Sequence, residues 1–178
     1  VNLNSGVGES AAANPNAGID RPGTPPAPEV QAPRLTPDGY DNIRIGMTVA
    51  QVTRSVGGRL PVKDQAYDPN DCQRRTTPVH PGMEFWFSRG VLDRIAISEG
   101  SSVLTPQGLG VGATAAEVRR LYPGIRSEEA MHDLPPAENL IWWVVPERKG
   151  VILRVNELGR VWVIAAGIGR LGGSYSCS

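Results

Sequence analysis

Cysteine, histidine and phenylalanine are scarce in this chain, with two of each among 178 residues. The histidines, His80 and His132, come with no H-x-x-x-H or C-x-x-C spacing, so no zinc site is legible, since zinc needs three or four converging ligands. No GxSxG elbow appears, and no Cys–His spacing suggests a nucleophile with its base. Glu128 and Glu129 are adjacent, so they do not face each other across a substrate. Charge of one sign is also missing: 18 Lys and Arg against 18 Asp and Glu give a formal net charge of +0. Without a basic stripe to follow a phosphate backbone, nucleic acid is disfavoured as a partner. No apolar run approaches the roughly 20 residues of a membrane span, and there is neither an initiating Met nor a signal-peptide core. These absences lead us to expect a processed or trimmed product with no direct membrane span. They also lead us to expect no catalytic residues, no metal, no cofactor and no small-molecule ligand.

What is abundant is glycine, 21 residues, and proline, 16, unevenly placed. Residues 1–34 hold a PGTPPAP block, no aromatic and no apolar period. Such a segment buries too little apolar surface to offset the entropy of ordering it, and reads as a disordered tail. The cysteines, Cys72 and Cys177, are far apart, and the second is penultimate. They are two thiols or one long-range disulfide, and the bridge is favoured because it would pin a Gly-rich tail that otherwise frays. Closing a loop of about 100 residues is worth on the order of 4–5 kcal/mol. A disulfide implies an oxidising compartment, periplasmic or extracellular.

One element occurs twice. Residues 45–58 read IGMTVAQVTRSVGG and residues 111–124 read VGATAAEVRRLYPG. A shift of 66 residues lays Gly46 on Gly112, Thr48 on Thr114, Val52 on Val118 and Gly58 on Gly124. Carried on without a gap, it lays DRIAI at 93–97 on GRVWV at 159–163, and Phe85-Trp86-Phe87 on Val151-Ile152-Leu153. One offset serving several segments argues for a duplicated unit. Thr48-x-x-Gln51 and Thr114-x-x-Glu117 have the form of capping boxes. Val49, Val52 and Val56, with Ala115, Val118 and Tyr122 as counterparts, make apolar stripes. Both helices are expected to stop at glycine. Residues 83–88, 91–97, 140–145, 151–155 and 160–164 read as strands, joined in part by hairpin turns. The segments 63–77 and 128–138 read as loops.

The expected class is therefore α+β: two tandem units, 35–100 and 101–178, each a short capped helix packed on a small antiparallel sheet, with sheets able to join. Gly108-x-Gly110-x-Gly112 does not mark a phosphate loop, because the first copy keeps only the last glycine. The candidate site is instead the outer sheet face. Alternation sends Trp86, Arg94, Ile152, Arg154, Arg160, Trp162 and Ile164 there, with one of Trp142 and Trp143, a composition enriched in interface hot spots.

Tandem units of this kind, opened by x-I-G-M-T-x-x-x-V at residues 44–52, resemble the β-lactamase inhibitor protein fold and the related outer-membrane-assembly lipoproteins of the SmpA/OmlA type. The likeness covers residues 43–165. It implies a bacterial envelope protein, non-catalytic, whose sheet face or loops contact another protein. In the inhibitor family an aromatic-rich concave sheet grips the partner, which fits the face bearing Trp86 and Trp162. The lipoprotein type would place a lipidated Cys at the start of the mature chain, and this chain has none there. A periplasmic or extracellular protein, free or tethered to the outer membrane through its precursor, is the expectation. Two alternatives stand beside it. One is an accessory subunit of a membrane-associated assembly held by its N-terminal tail, and the other a hydrolase with a site in the loops 63–77 and 128–138.

Overall fold

Strict alternation writes the long strands: in Met83–Ser88, Met83, Phe85 and Phe87 are buried while Glu84, Trp86 and Ser88 are half-buried. The computed structural model describes residues 32–64, 72–130, 134–145 and 148–168. Three short strands, β1 (Leu35–Thr36), β2 (Gly39–Tyr40) and β3 (Ile43–Arg44), form one antiparallel sheet. Helix α1 (Val49–Val56) follows, then β4 (Val62–Asp64), β5 (Cys72–Thr76), β6 (Met83–Ser88) and β7 (Val91–Ile97). Helix α2 (Ala115–Leu121) precedes β8 (Arg126–Glu129), β9 (Glu138–Val145), β10 (Lys149–Val155) and β11 (Val161–Ile168). The last eight strands make one antiparallel sheet in the order β4-β5-β6-β7-β11-β10-β9-β8. Strands enter from each edge in chain order and meet at a β7–β11 seam, where Ile97 pairs Ile164 and Arg94 pairs Gly167.

This corrects the α+β expectation. The protein is mainly β, with one eight-stranded and one three-stranded sheet, and not a pair of capped helices each on its own small sheet. The helices have only 8 and 7 residues. The strand content was under-read where strands lack alternation: β5 (CQRRT) is half-buried throughout and β8 (RSEE) fully exposed. β5 lies within the segment 63–77 and β8 runs into the segment 128–138, both of which read as loops. Of the tail expected over residues 1–34, residues 1–31 lie outside the described residues. Arg34 already bridges Leu104, whose carbonyl accepts from the Leu35 N–H at 2.9 Å.

The core lies between one face of the large sheet and a layer made of β1–β3 and the helices. It joins Leu35, Ile43, Val52, Val118 and Tyr122 to Phe85, Phe87, Leu153 and Val161. Both capping boxes are formed: Thr48 accepts from the Gln51 N–H while Gln51 accepts from the Thr48 N–H, and Thr114 and Glu117 do the same. α1 ends at left-handed Gly57, but α2 ends at Tyr122 with φ −120°, so a glycine stop serves only the first.

Gly46 and Gly112 have the same surroundings. Both have φ +95° and donate at 2.7 Å to a strand carbonyl, Leu92 and Val161 respectively. Leu92 and Val161 donate back at 2.8 Å to Met47 and Ala113. The ungapped shift nevertheless fails beyond the helices. Leu92 and Val161 are 69 residues apart, and the cross-strand pairs Phe85–Ile95 and Leu153–Ile164 set their first members 68 apart. Loop insertions and a longer turn account for the drift. Arg89-Gly90, both at positive φ, closes the first hairpin in two residues, whereas the second needs the Asn156 turn.

Candidate functional site

Each inner strand of the seam carries a β-bulge, and the two bulges fix where the candidate residues go. Trp86 pairs Arg94 and Phe87 pairs Leu92, leaving Asp93 as the extra residue. Arg154 pairs Val163 and Val155 pairs Val161, leaving Trp162 as the extra residue. A bulge reverses the side-chain phase beyond it. Ile164 therefore points into the main core and Val163 to the opposite face, the reverse of simple alternation. Trp142 joins the core, edge-on to Tyr122 at 5.3 Å, and Trp143 takes the other face.

On that face one transverse row runs Arg74, Trp86, Arg94, Gly167, Gly150, Trp143 across six strands. The Trp86 indole has the Arg74 guanidinium 5.3 Å and the Arg94 guanidinium 5.6 Å from its ring centre. Arg74 also lies 3.8 Å from Glu84, which Lys63 pairs as well. The next row packs Ala96, Ala165, Ile152 and Ile141 into a second small apolar cluster against Trp86, Trp143 and Val163. Arg94 and Ile152 are buried, Trp86 and Arg154 half-buried. Four of the six residues, Trp86, Arg94, Ile152 and Arg154, thus share a packed face that offers little free surface. Burial lowers the Arg94 pKa, with the Asp93 charge opposing and the Arg154 charge assisting. Burial likewise raises the Asp93 carboxyl to about 7, against the pull of Arg94 and of its own backbone N–H.

The other two residues sit elsewhere. Arg160 is exposed and donates to the Gly112 carbonyl at 3.0 Å, tying the β10–β11 turn to the start of α2. Trp162 is 45% exposed at the end of the sheet. It lines a pocket of about 250 Å³ with Asn156, Glu157 and Leu158. Asn156 shapes the turn, its side-chain oxygen accepting from the Leu158 and Arg160 N–H groups at 3.0 and 3.1 Å. The Glu157 carboxylate accepts from the Leu134 N–H at 3.4 Å, which brings Leu134 to the same corner. Leu134 and Leu158 are 70% and 82% exposed. Sequence reasoning missed Leu134, Glu157 and Leu158. The available signal was an apolar residue in a four-residue turn, N-E-L-G, where polar residues are the norm.

Among the described residues, no group of three or more His, Cys, Asp or Glu converges as a metal site. His80 stacks edge-on to Tyr40 at 5.4 Å, and His132 lies outside the described residues. So do parts of both segments in which a hydrolase site was considered, residues 65–71 and 131–133. Cys72 is not a free thiol, and its expected partner Cys177 lies outside the described residues. Among the described residues no helix is long and apolar enough to cross a membrane.

No protein-family model and no curated protein matches this sequence. A solved structure of an extracellular protein containing a SCP domain, from Bacillus anthracis str. Ames, is similar at a TM-score of 0.45 with 9% sequence identity. The likeness covers 69% of this chain and 43% of that one, so this chain spans less than half of that protein.

Proposed function

We propose that this chain is a non-enzymatic protein-binding module of an extracytoplasmic compartment, docking its partner through the corner built from Leu134, Leu158 and Trp162. The observation that carries this reading is the bulge in β11, which takes Trp162 out of the sheet alternation and leaves its indole half exposed in one pocket wall with Leu158, where Glu157 of the same wall holds the Leu134 N–H. Bulges re-aim side chains and are over-represented next to functional sites. Exposed Trp with neighbouring aliphatics is the composition of interface hot spots. The docking surface is thus moved from the sheet face, where Arg94 and Ile152 are already buried. An oxidising compartment follows from the expected Cys72–Cys177 bridge.

The test places a photo-crosslinking amino acid at Leu158 and, as control, at Val91, which is 41% exposed at the start of β7. In an exporting bacterial host, Leu158 should give a discrete adduct that Val91 does not, and Trp162→Ala should remove it. Equal labelling from both positions, or an adduct indifferent to Trp162→Ala, would end the reading.

A further inference from the structure

The docking corner is acidic as well as apolar. Glu157 lies in the pocket wall beside the Trp162 indole, and among the described residues no ion pair reaches it. Of the two nearest basic side chains in sequence, Arg160 is committed to the Gly112 carbonyl and Arg154 stands opposite Val163 on the packed sheet face. Across the same end of the sheet, Val155 pairs Glu138 and Glu138 pairs Glu129, so a row of carboxylates borders the turn. Within that row Glu138 is neutralised by Arg119 at 2.5 Å, whereas Glu129 and Glu157 have no cation within salt-bridge range among the described residues. An indole and a carboxylate lining one pocket of about 250 Å³ suit one long cationic side chain. Its methylenes would lie along Leu158 and Trp162, its charge between the ring face and the Glu157 carboxylate.

We infer that the partner presents an arginine or lysine, flanked by aliphatic residues, to the Trp162–Glu157 pocket. This rests on the docking reading above and adds the chemistry of the occupant. A negatively charged or purely apolar partner segment would leave the Glu157 carboxylate desolvated with only the Leu134 N–H, at 3.4 Å, to compensate it.

The test titrates the full chain with three capped hexapeptides that alternate leucine with arginine, with glutamine or with glutamate. The readout is the Trp162 indole N–H resonance, assigned by its loss in Trp162→Phe. The arginine peptide should shift this resonance and bind at least about fivefold tighter than the glutamine peptide, as an exposed ion pair with a cation–π contact allows. Glu157→Gln should bring the two within about twofold, and added salt should narrow the gap. Equal binding of the arginine and glutamine peptides would overturn the cationic inference while leaving apolar docking at this corner intact. So would tighter binding of the glutamate peptide. A Leu158 crosslink that survives Glu157→Gln unchanged but is lost in Trp162→Ala would have the same meaning. Failure of all peptides, joined with a crosslink that Trp162→Ala does not affect, would remove both proposals. Concentration-dependent dimerisation lost in Trp162→Ala would also overturn the inference, since the corner would then belong to a second copy of this chain.

Discussion

Replacing Asp93 by asparagine tests the physical account of the sheet seam. Asp93 is the bulge residue of β7 and only 7% exposed. Its Oδ1 has no hydrogen-bond partner among the described residues. Burial raises its carboxyl from 3.8 to about 7, with Arg94 pulling the other way. A carboxyl whose folded pKa is raised binds protons more tightly in the folded state. Its contribution is therefore fully present below about pH 3.8 and is lost as pH rises through about 7. A rise of about three pH units, at about 1.36 kcal/mol each, sets a ceiling of about 4 kcal/mol. Water penetration and relaxation around a carboxylate beside Arg94 reduce this, and we expect about 2 kcal/mol. Asparagine matches the shape and stays neutral. Urea unfolding, followed by tryptophan fluorescence at pH 3.5, 5, 6.5 and 8, should show the variant within about 0.5 kcal/mol of the parent at pH 3.5, with the gap opening as pH rises. At pH 8 it should be about 2 kcal/mol more stable. Because the other titrating groups are common to both proteins, they cancel in the difference. A gap that does not change with pH, or one that shrinks as pH rises, would refute the assignment of a buried, proton-binding Asp93.

Two further outcomes test the packing. A Cβ at Gly167 would stand 2.1 Å from the Asp93 carbonyl oxygen, and the residue has φ +152°. Gly167→Ala should cost about 3 kcal/mol or more and lower the melting temperature by several degrees. Gly112→Ala, with nothing within 4 Å and only a φ of +95° to contend with, should cost about 1 kcal/mol. Equal melting temperatures for the two variants would contradict the seam geometry. Peptide mapping without reductant should recover a single linked peptide carrying Cys72 and Cys177. Alkylation of both thiols before reduction would remove the bridge, and with it the support for an oxidising compartment.

What the sequence made legible was local. Capping boxes depend on residues three apart, and both were readable at Thr48 and Thr114 because a hydroxyl and a Gln or Glu at that spacing leave few alternatives. The β6–β7 hairpin was readable because Met83, Phe85 and Phe87 alternate cleanly. The class was not, since β5 and β8 carry charges in a row and owe their strand state to hydrogen bonding with neighbours. Of the three-stranded sheet, the sequence suggests only one short strand, over residues 40–45. Each of the sheet's strands has two residues, joined by turns at residues 37–38 and 41–42, which is too short to write any period.

The bulges explain why the site was legible only in part. An ungapped shift sets Asp93 against Gly159, but the strand pairing sets it against Trp162, because each is the one residue left over in its hairpin. Around these two positions the halves agree closely: Phe85 with Leu153, Phe87 with Val155, Leu92 with Val161 and Ile95 with Ile164 are buried at 0–1% exposure. The bulge is where the halves part. In one it holds an acid buried at the seam, and in the other an indole in solvent at the sheet's end. A packed position tolerates only apolar exchange of similar volume, whereas the extra residue of a bulge is free of the ladder and can change chemistry without disturbing its neighbours. That freedom is why Trp162, and not Trp86 within its cross-strand row of arginines, is the tryptophan left exposed at the sheet's end.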